Sequence, residues 1–151
     1  MSASTRALRG FVEADLAALI NLWVVAWSET GLPIDFDARR AWIEERLSAL
    51  RVDGAIIVVG LQSEEPAGFV TIDPQSGYLD QLCVAPAERG SGLASSLLDE
   101  AKRRSPGVVE LDVNEANARA RRFYEREGFF VVARGVNPRS GLPTLKMRWR
   151  A

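Results

Sequence analysis

Two glycines one residue apart, Gly90 and Gly92, stand at the foot of an amphipathic segment, in Arg89-Gly90-Ser91-Gly92-Leu93-Ala94-Ser95. Leu93, Leu97, Leu98 and Ala101 recur at i, i+4, i+5 and i+8, which is the apolar face of a helix. Glycines at a helix start leave backbone N–H groups uncovered, where the helix presents unpaired donors and partial positive charge. That arrangement suits an anion, above all a phosphate or diphosphate. The P-loop pattern is absent, because no Gly-Lys-Ser/Thr follows. A dinucleotide-binding reading competes, with Gly90-x-Gly92-x-x-Ser95 and then Asp112 near the end of the apolar run 108–113. It lacks the third glycine, and residues 85–88 separate the loop from the strand before it.

Another pattern fits the spacing better. Arg89-x-x-Gly92-x-Ala94, preceded by Leu82-x-Val84 and Pro86, resembles the acetyl-coenzyme A signature of the GCN5-related N-acetyltransferases. A second stretch, Asn117-Ala118-Arg119-Ala120-Arg121-Arg122-Phe123-Tyr124-Glu125-Arg126-Glu127-Gly128-Phe129, resembles the same family's second motif. Asn117, Ala120 and Tyr124 lie at i, i+3 and i+7 and share one helix face. Gly128 stands where a helix end favours a left-handed residue, and Phe123 and Phe129 read as core.

The resemblance implies a reaction and a set of roles. An acetyl group would pass directly from acetyl-CoA to a primary amine, of a small molecule or a protein, with no metal. The strands at 78–84 and 108–113 would part to make a slot for acetyl-CoA. Leu82, Cys83 and Val84 would offer backbone groups to its pantetheine arm, while Arg89, Gly90, Ser91, Gly92, Leu93, Ala94 and Ser95 hold its diphosphate. Asn117 would touch the cofactor or brace the site, and the Tyr124 hydroxyl would protonate the leaving sulfur. A protonated amine needs a base, and without histidine the candidates are carboxylates. Asp80 is the first choice, ahead of Glu29 and Asp112, because it sits on the slot strand four residues before Val84. Tyr78 occupies a position where many members of the family carry a glutamate, a departure from the pattern that leaves the base open. The acceptor pocket is expected from residues 27–36 and 137–143, with Trp27, Glu29 and Tyr78 in contact with the amine. Cys83, on a strand with no histidine partner, reads as core and not as a nucleophile. Arginines 119, 121, 122 and 126 are expected to form a solvated face paired with Glu115 and Glu125, although they could reach the ribose phosphate. A catalytically silent acyl-CoA-binding module is the alternative to an enzyme, with the dinucleotide reading behind it.

The elements that must position these residues are legible in outline. Leu16, Leu19, Ile20, Trp23 and Trp27 predict a first amphipathic helix, and Ile43, Leu47 and Leu50 a second, capped by Asp37. Closely spaced β-branched runs at 55–61, 68–72 and 78–84 predict an antiparallel meander, after a short edge strand at 7–11. The helix from Leu93, a strand at 108–113, the helix from Asn117, and strands at 129–134 and 144–149 complete the chain. The fold class is therefore α/β (α+β): a mixed, mostly antiparallel sheet of about seven strands with about four helices, in one domain spanning 1–151.

Composition sets the outer limits. A chain of 151 residues, 47% hydrophobic and 26% charged, has an ordinary globular make-up and enough length for a real core. Lys+Arg 19 against Asp+Glu 20 gives a net charge of −1, and no basic stripe is interleaved with aromatics, so no nucleic-acid partner is expected. One cysteine excludes an internal disulfide, and zero histidines disfavour a zinc-like cluster. Residues 1–6 lack a signal-peptide run and no apolar stretch is long enough for a bilayer, so a cytoplasmic protein without membrane contact is expected. Exposed edge strands after Phe129 would suit a homodimer.

Overall fold

The computed structural model describes residues 6–151. The order is β1 (Arg6–Gly10), α1 (Leu16–Ser28), α2 (Arg40–Val52), β2 (Ile56–Gln62), β3 (Glu65–Ile72), β4 (Leu82–Val84), α3 (Leu93–Arg104), β5 (Val108–Asn114), α4 (Ala118–Arg126), β6 (Phe130–Val136) and β7 (Pro143–Arg150). Strands β1-β2-β3-β4 form one antiparallel sheet and β5-β7-β6 another. Seven strands and four helices match the expected class. Residues 1–5, part of the stretch read as lacking a signal peptide, lie outside the described residues. Among those described, no helix is long and apolar enough to cross a membrane.

The apolar runs explain the layers. Residues 67–72 of β3 are all buried, so both faces of that strand must be covered. Val58 and Val70 face one cluster with Leu93, Leu97, Leu98 and Ala101 of α3. Their neighbours Ile57, Val59 and Phe69 face the other, with Leu19 and Trp23 of α1 and Ile43 and Leu47 of α2. The period of two along each strand separates the two cores. Leu93, Leu97, Leu98 and Ala101 are each 0% exposed, so the predicted apolar face is what fixes α3 on the sheet. α1 is anchored at its start by Asp15, whose carboxylate takes two bonds from Arg9, at 2.8 and 2.9 Å, and one from the Val12 N–H.

Three differences from the sequence reading have a local cause. The expected strand at 78–84 is regular only over Leu82–Val84. Thr71 N–H still donates to Gln81, but Asp73 N–H donates to Tyr78, so Leu79 and Asp80 together stand opposite Ile72 alone. That extra residue is a β-bulge, which re-aims side chains and ends pairing. The second helix is entered through a short 3₁₀ turn at Asp37–Arg39, and Asp35 rather than Asp37 accepts the first turn's N–H, from Ala38 at 3.2 Å. β3 begins at Glu65, because the non-glycine turn Ser63–Glu64, at φ 51° and 69°, lets Pro66 pair with Leu61 across an irregularity.

Among the described residues one backbone bridge joins the two sheets. Tyr78 bridges Glu110 in parallel fashion, with Leu79 N–H donating to Glu110 at 2.8 Å and Glu110 N–H donating to Gly77 at 3.0 Å. A Cβ on Gly77 would lie 2.0 Å from the Val108 carbonyl oxygen, so only glycine permits this approach. Beyond the bridge β4 pairs with β3 and β5 with β7, and no ladder joins β4 to β5. The strands part.

Candidate active site

A cleft of about 660 Å³ opens where they part, lined by Leu79, Asp80 and Leu82 to Val84 on one wall and Leu111 to Val113 on the other. Ala85 N–H donates to Ala67 and Thr71 N–H to Gln81, so alternate residues 81, 83 and 85 turn their backbone toward β3. By the alternation of an antiparallel ladder, Leu82 and Val84 present N–H and C=O to the cleft. Cys83, expected to offer the same groups, faces β3 with its backbone instead. Its thiol is buried, lies 3.7 Å from the Leu22 carbonyl, and is held above its ordinary pKa by that burial. A thiol so placed is core, as the absence of a basic partner implied.

One end of the cleft presents uncovered backbone donors. Gly92 caps α3 in the left-handed region at φ 90°, and Gly90 is at φ 80°. Neither Gly90 nor Gly92 gives its N–H to an acceptor among the described residues. The Ala94 and Ser95 amides belong to the first helical turn, which has no intrahelical acceptors. These four residues line the cleft, and the α3 dipole adds positive potential there. Leu93 is buried in the core, and its N–H is taken by Ser91 Oγ at 3.3 Å. Arg6 donates to the Ser91 carbonyl at 2.5 Å, which fastens the loop to the edge of the four-stranded sheet. Arg89 lies over the rim, paired with Glu29 at 3.2 Å. Glu29 and Trp27, expected on the acceptor side, both line the cleft.

Asn117 braces the opposite flank. Its side chain accepts from Ala120 N–H at 3.3 Å and caps α4, which fixes that helix on the cleft wall. Tyr124, one face below, is 8% exposed and packs edge-on against Phe123 and Phe129 at 5.2 and 5.4 Å. Its hydroxyl makes no hydrogen bond among the described residues, yet the residue lines the cleft. Burial, reinforced by the neighbouring Cys83 sulfur, holds the phenol above its ordinary pKa. It is therefore a protonated, unengaged donor.

The carboxylates occupy the other end. From the Tyr78–Glu110 bridge, Asp80 and Asp112 stand two residues further on facing strands. Asp80 is taken by Arg46, whose Nη2 reaches Oδ1 at 2.6 Å and whose Nε reaches Oδ2 at 3.2 Å. Gln81 Nε2 adds a bond at 2.9 Å, and Gln81 is itself fixed by Trp23 Nε1 at 3.0 Å. Asp112 accepts from the Tyr78 hydroxyl at 2.6 Å and lies 3.7 Å from Lys146. Burial and this bond raise the Tyr78 pKa, so it donates and stays neutral. Arg46 was not foreseen, because a partner 34 residues away across a bulge leaves no local pattern. The expected pairing on α4 is absent: Glu115 lies before the helix and binds Arg134 at 2.7 Å, and Glu125 forms no ion pair among the described residues. On the far side Arg139, from the 137–142 turn, lies 4.9 Å over the Trp42 ring, beside the cluster of Trp23, Trp27 and Phe36.

Comparison with known proteins agrees with this arrangement. The family model described as the Acetyltransferase (GNAT) family matches residues 16–129. The chain is 32% identical over 107 residues to the peptidyl-lysine N-acetyltransferase YjaB of Salmonella typhimurium, covering 71% of this chain and 72% of that one. The solution structure of apo YjaB from Escherichia coli superposes with a TM-score of 0.77 at 23% identity, over 96% of this chain and 97% of that one. The PaiA N-acetyltransferase of Thermoplasma acidophilum, solved in complex with coenzyme A, does so at 0.79 and 18%, over 97% and 99%. The parted strands, the uncovered helix start and the matched sequence converge: the chain belongs to the GNAT acetyltransferase family.

Proposed function

We propose that the protein transfers an acetyl group from acetyl-CoA directly to a primary amine, with the lysine side chain of a peptide as the first acceptor class to test. The observation that carries this reading is the continuity of the slot: it runs from the uncovered amides of Gly90, Gly92, Ala94 and Ser95 to the unengaged hydroxyl of Tyr124. A diphosphate suits the first end and a leaving thiolate the second. Between them the free N–H and C=O groups of Leu82 and Val84 match the amides of a pantetheine arm, as a strand edge would.

Each residue then has a task. An N–H on the Leu82–Val84 edge polarises the thioester carbonyl. The amine nitrogen attacks that carbon, the C–S bond breaks, and Tyr124 gives its proton to the sulfur and regains one through water. A lysine amine has a pKa of about 10.4, so only on the order of one in a few thousand is free base at neutral pH. Asp80 takes the excess proton through a water, held in place by Arg46 and Gln81. Both Asp80 oxygens already accept bonds, and that observation favours Asp112, steadied by Tyr78, as a second acceptor facing the same gap. Trp27 and Glu29 flank the amine's approach.

Thiol release from acetyl-CoA on addition of an amine panel tests the proposal. Release that depends on a lysine-containing peptide, with one acetyl gained per thiol by mass spectrometry, is expected. Tight acetyl-CoA binding with no release for any amine would make the chain a binding module.

A further inference from the structure

The chain holds 17 arginines and two lysines, Lys102 and Lys146. A guanidinium stays protonated and offers no lone pair for acyl attack, so two side-chain amines remain as internal acceptors. They are held differently. Lys102 lies ten residues along α3 from Gly92, about 15 Å at the helical rise. Its Nζ donates to the Glu127 carbonyl at 2.7 Å and lies 4.9 Å over the Trp149 ring. Lys146 stands on β7 directly opposite Asp112 of β5. Val109, Leu111 and Val113 are buried in the core, so by the alternation of a strand Glu110, Asp112 and Asn114 share the other face. Arg148, Lys146 and Thr144 stand beside them. Arg148 is taken by Glu110 at 2.5 Å. Lys146 is held more loosely, 3.7 Å from Asp112 Oδ2, with 36% of its side chain exposed. Its Nζ also lies 5.7 Å from the centre of the Tyr78 ring. Tyr78 comes from the opposite side of β5, where it bridges Glu110, so the lysine arm already reaches across the strand that forms the cleft wall.

We propose that Lys146 is an internal acceptor, so that the enzyme acetylates its own strand β7. The inference rests on the acetyl-transfer reading of the cleft. The ammonium gives one proton to Asp112, which lies against it and lines the cleft. The nitrogen lone pair then attacks the thioester carbon. The C–N bond forms and the C–S bond breaks, and the sulfur leaves with the electron pair and takes the Tyr124 proton. The acylated nitrogen loses its second proton to water, and Tyr124 regains one from the same solvent. The products are acetyl-Lys146, CoA thiol and one released proton. Acetylation removes the lysine charge, and with it the ion pair on Asp112. An amine rooted one strand behind the cleft wall needs no docking step, so the transfer is first order in the chain.

Incubation of the full chain with isotope-labelled acetyl-CoA, followed by peptide mapping in the mass spectrometer, tests this. Lys146 should take label at least about 10²-fold faster than Lys102, because positioned proton transfer alone contributes about 10²–10⁴-fold. The rate per chain should not change with protein concentration, and a saturating lysine peptide should slow it. Equal labelling of the two lysines would make the modification non-enzymatic and overturn the proposal. A rate per chain that rises with protein concentration would place Lys146 in a neighbouring molecule's cleft and overturn the internal transfer. Acetylation of a lysine peptide with no label on Lys146 would overturn the internal acceptor and leave the acetyltransferase reading standing. Transfer to neither would remove that reading, and the internal acceptor with it.

Discussion

Tyr124→Phe is expected to lower turnover by about 10²–10⁴-fold while changing acetyl-CoA affinity little. The substitution keeps the ring, and with it the edge-on packing against Phe123 and Phe129 at 5.2 and 5.4 Å. Only the hydroxyl is lost, and that hydroxyl holds up no other residue among those described. Its value lies in the transition state, when negative charge grows on the departing sulfur, so deletion should lower kcat more than it raises KM. Burial keeps the phenol protonated through the neutral range, so the proton is available whenever the thiolate forms. Steady-state kinetics and calorimetry on the same preparation check both halves. Equal losses in binding and turnover would make Tyr124 a structural residue, and unchanged turnover would remove it from the mechanism.

Gly92→Val should abolish most acetyl-CoA binding. Two charge-assisted amide bonds to a diphosphate, at about 1.5–3 kcal/mol each, correspond to about 10²–10⁴-fold in affinity. A branched side chain over the start of α3 denies the phosphates that approach. The structure adds a second effect. Gly92 sits at φ 90°, which a valine adopts only under strain of about 1–3 kcal/mol, and its Cβ would stand 3.4 Å from an Arg6 guanidinium nitrogen. At roughly 2–4 °C per kcal/mol for a chain of this size, the melting temperature should also drop by several degrees. Gly92→Ala shares the backbone strain without the branch, so comparing the two variants by melting and calorimetry separates strain from obstruction.

Much of this site was legible in the sequence because its parts are local. The helix start at Gly92 and the face shared by Asn117, Ala120 and Tyr124 are patterns within a dozen residues, and periodicity fixes them. The parting of β4 and β5 followed from the family resemblance, not from composition. What escaped depends on distant partners. The bulge at Leu79–Asp80 arises from how Tyr78 is drawn to Glu110, a pairing across 32 residues that no local propensity encodes. It carries Asp80 to Arg46, so the residue expected as a free base is a clamped one. The α4 arginines show the same limit. Counting i, i+4 pairs assigned them Glu115, but Asn117 caps the helix and leaves Glu115 outside it, within reach of Arg134 on β6. Local rules found the helices; the charges were settled by the tertiary fold.

The central claim is that the cleft between β4 and β5 is an acyl-CoA slot, and thermal melting with competing ligands tests it most directly. Acetyl-CoA at 100 times its dissociation constant should stabilise the fold by about 2.7 kcal/mol. That raises the melting temperature by several degrees, at roughly 2–4 °C per kcal/mol. Nicotinamide dinucleotides at the same concentration should leave it unmoved. A shift with the dinucleotides and none with acetyl-CoA would contradict the account.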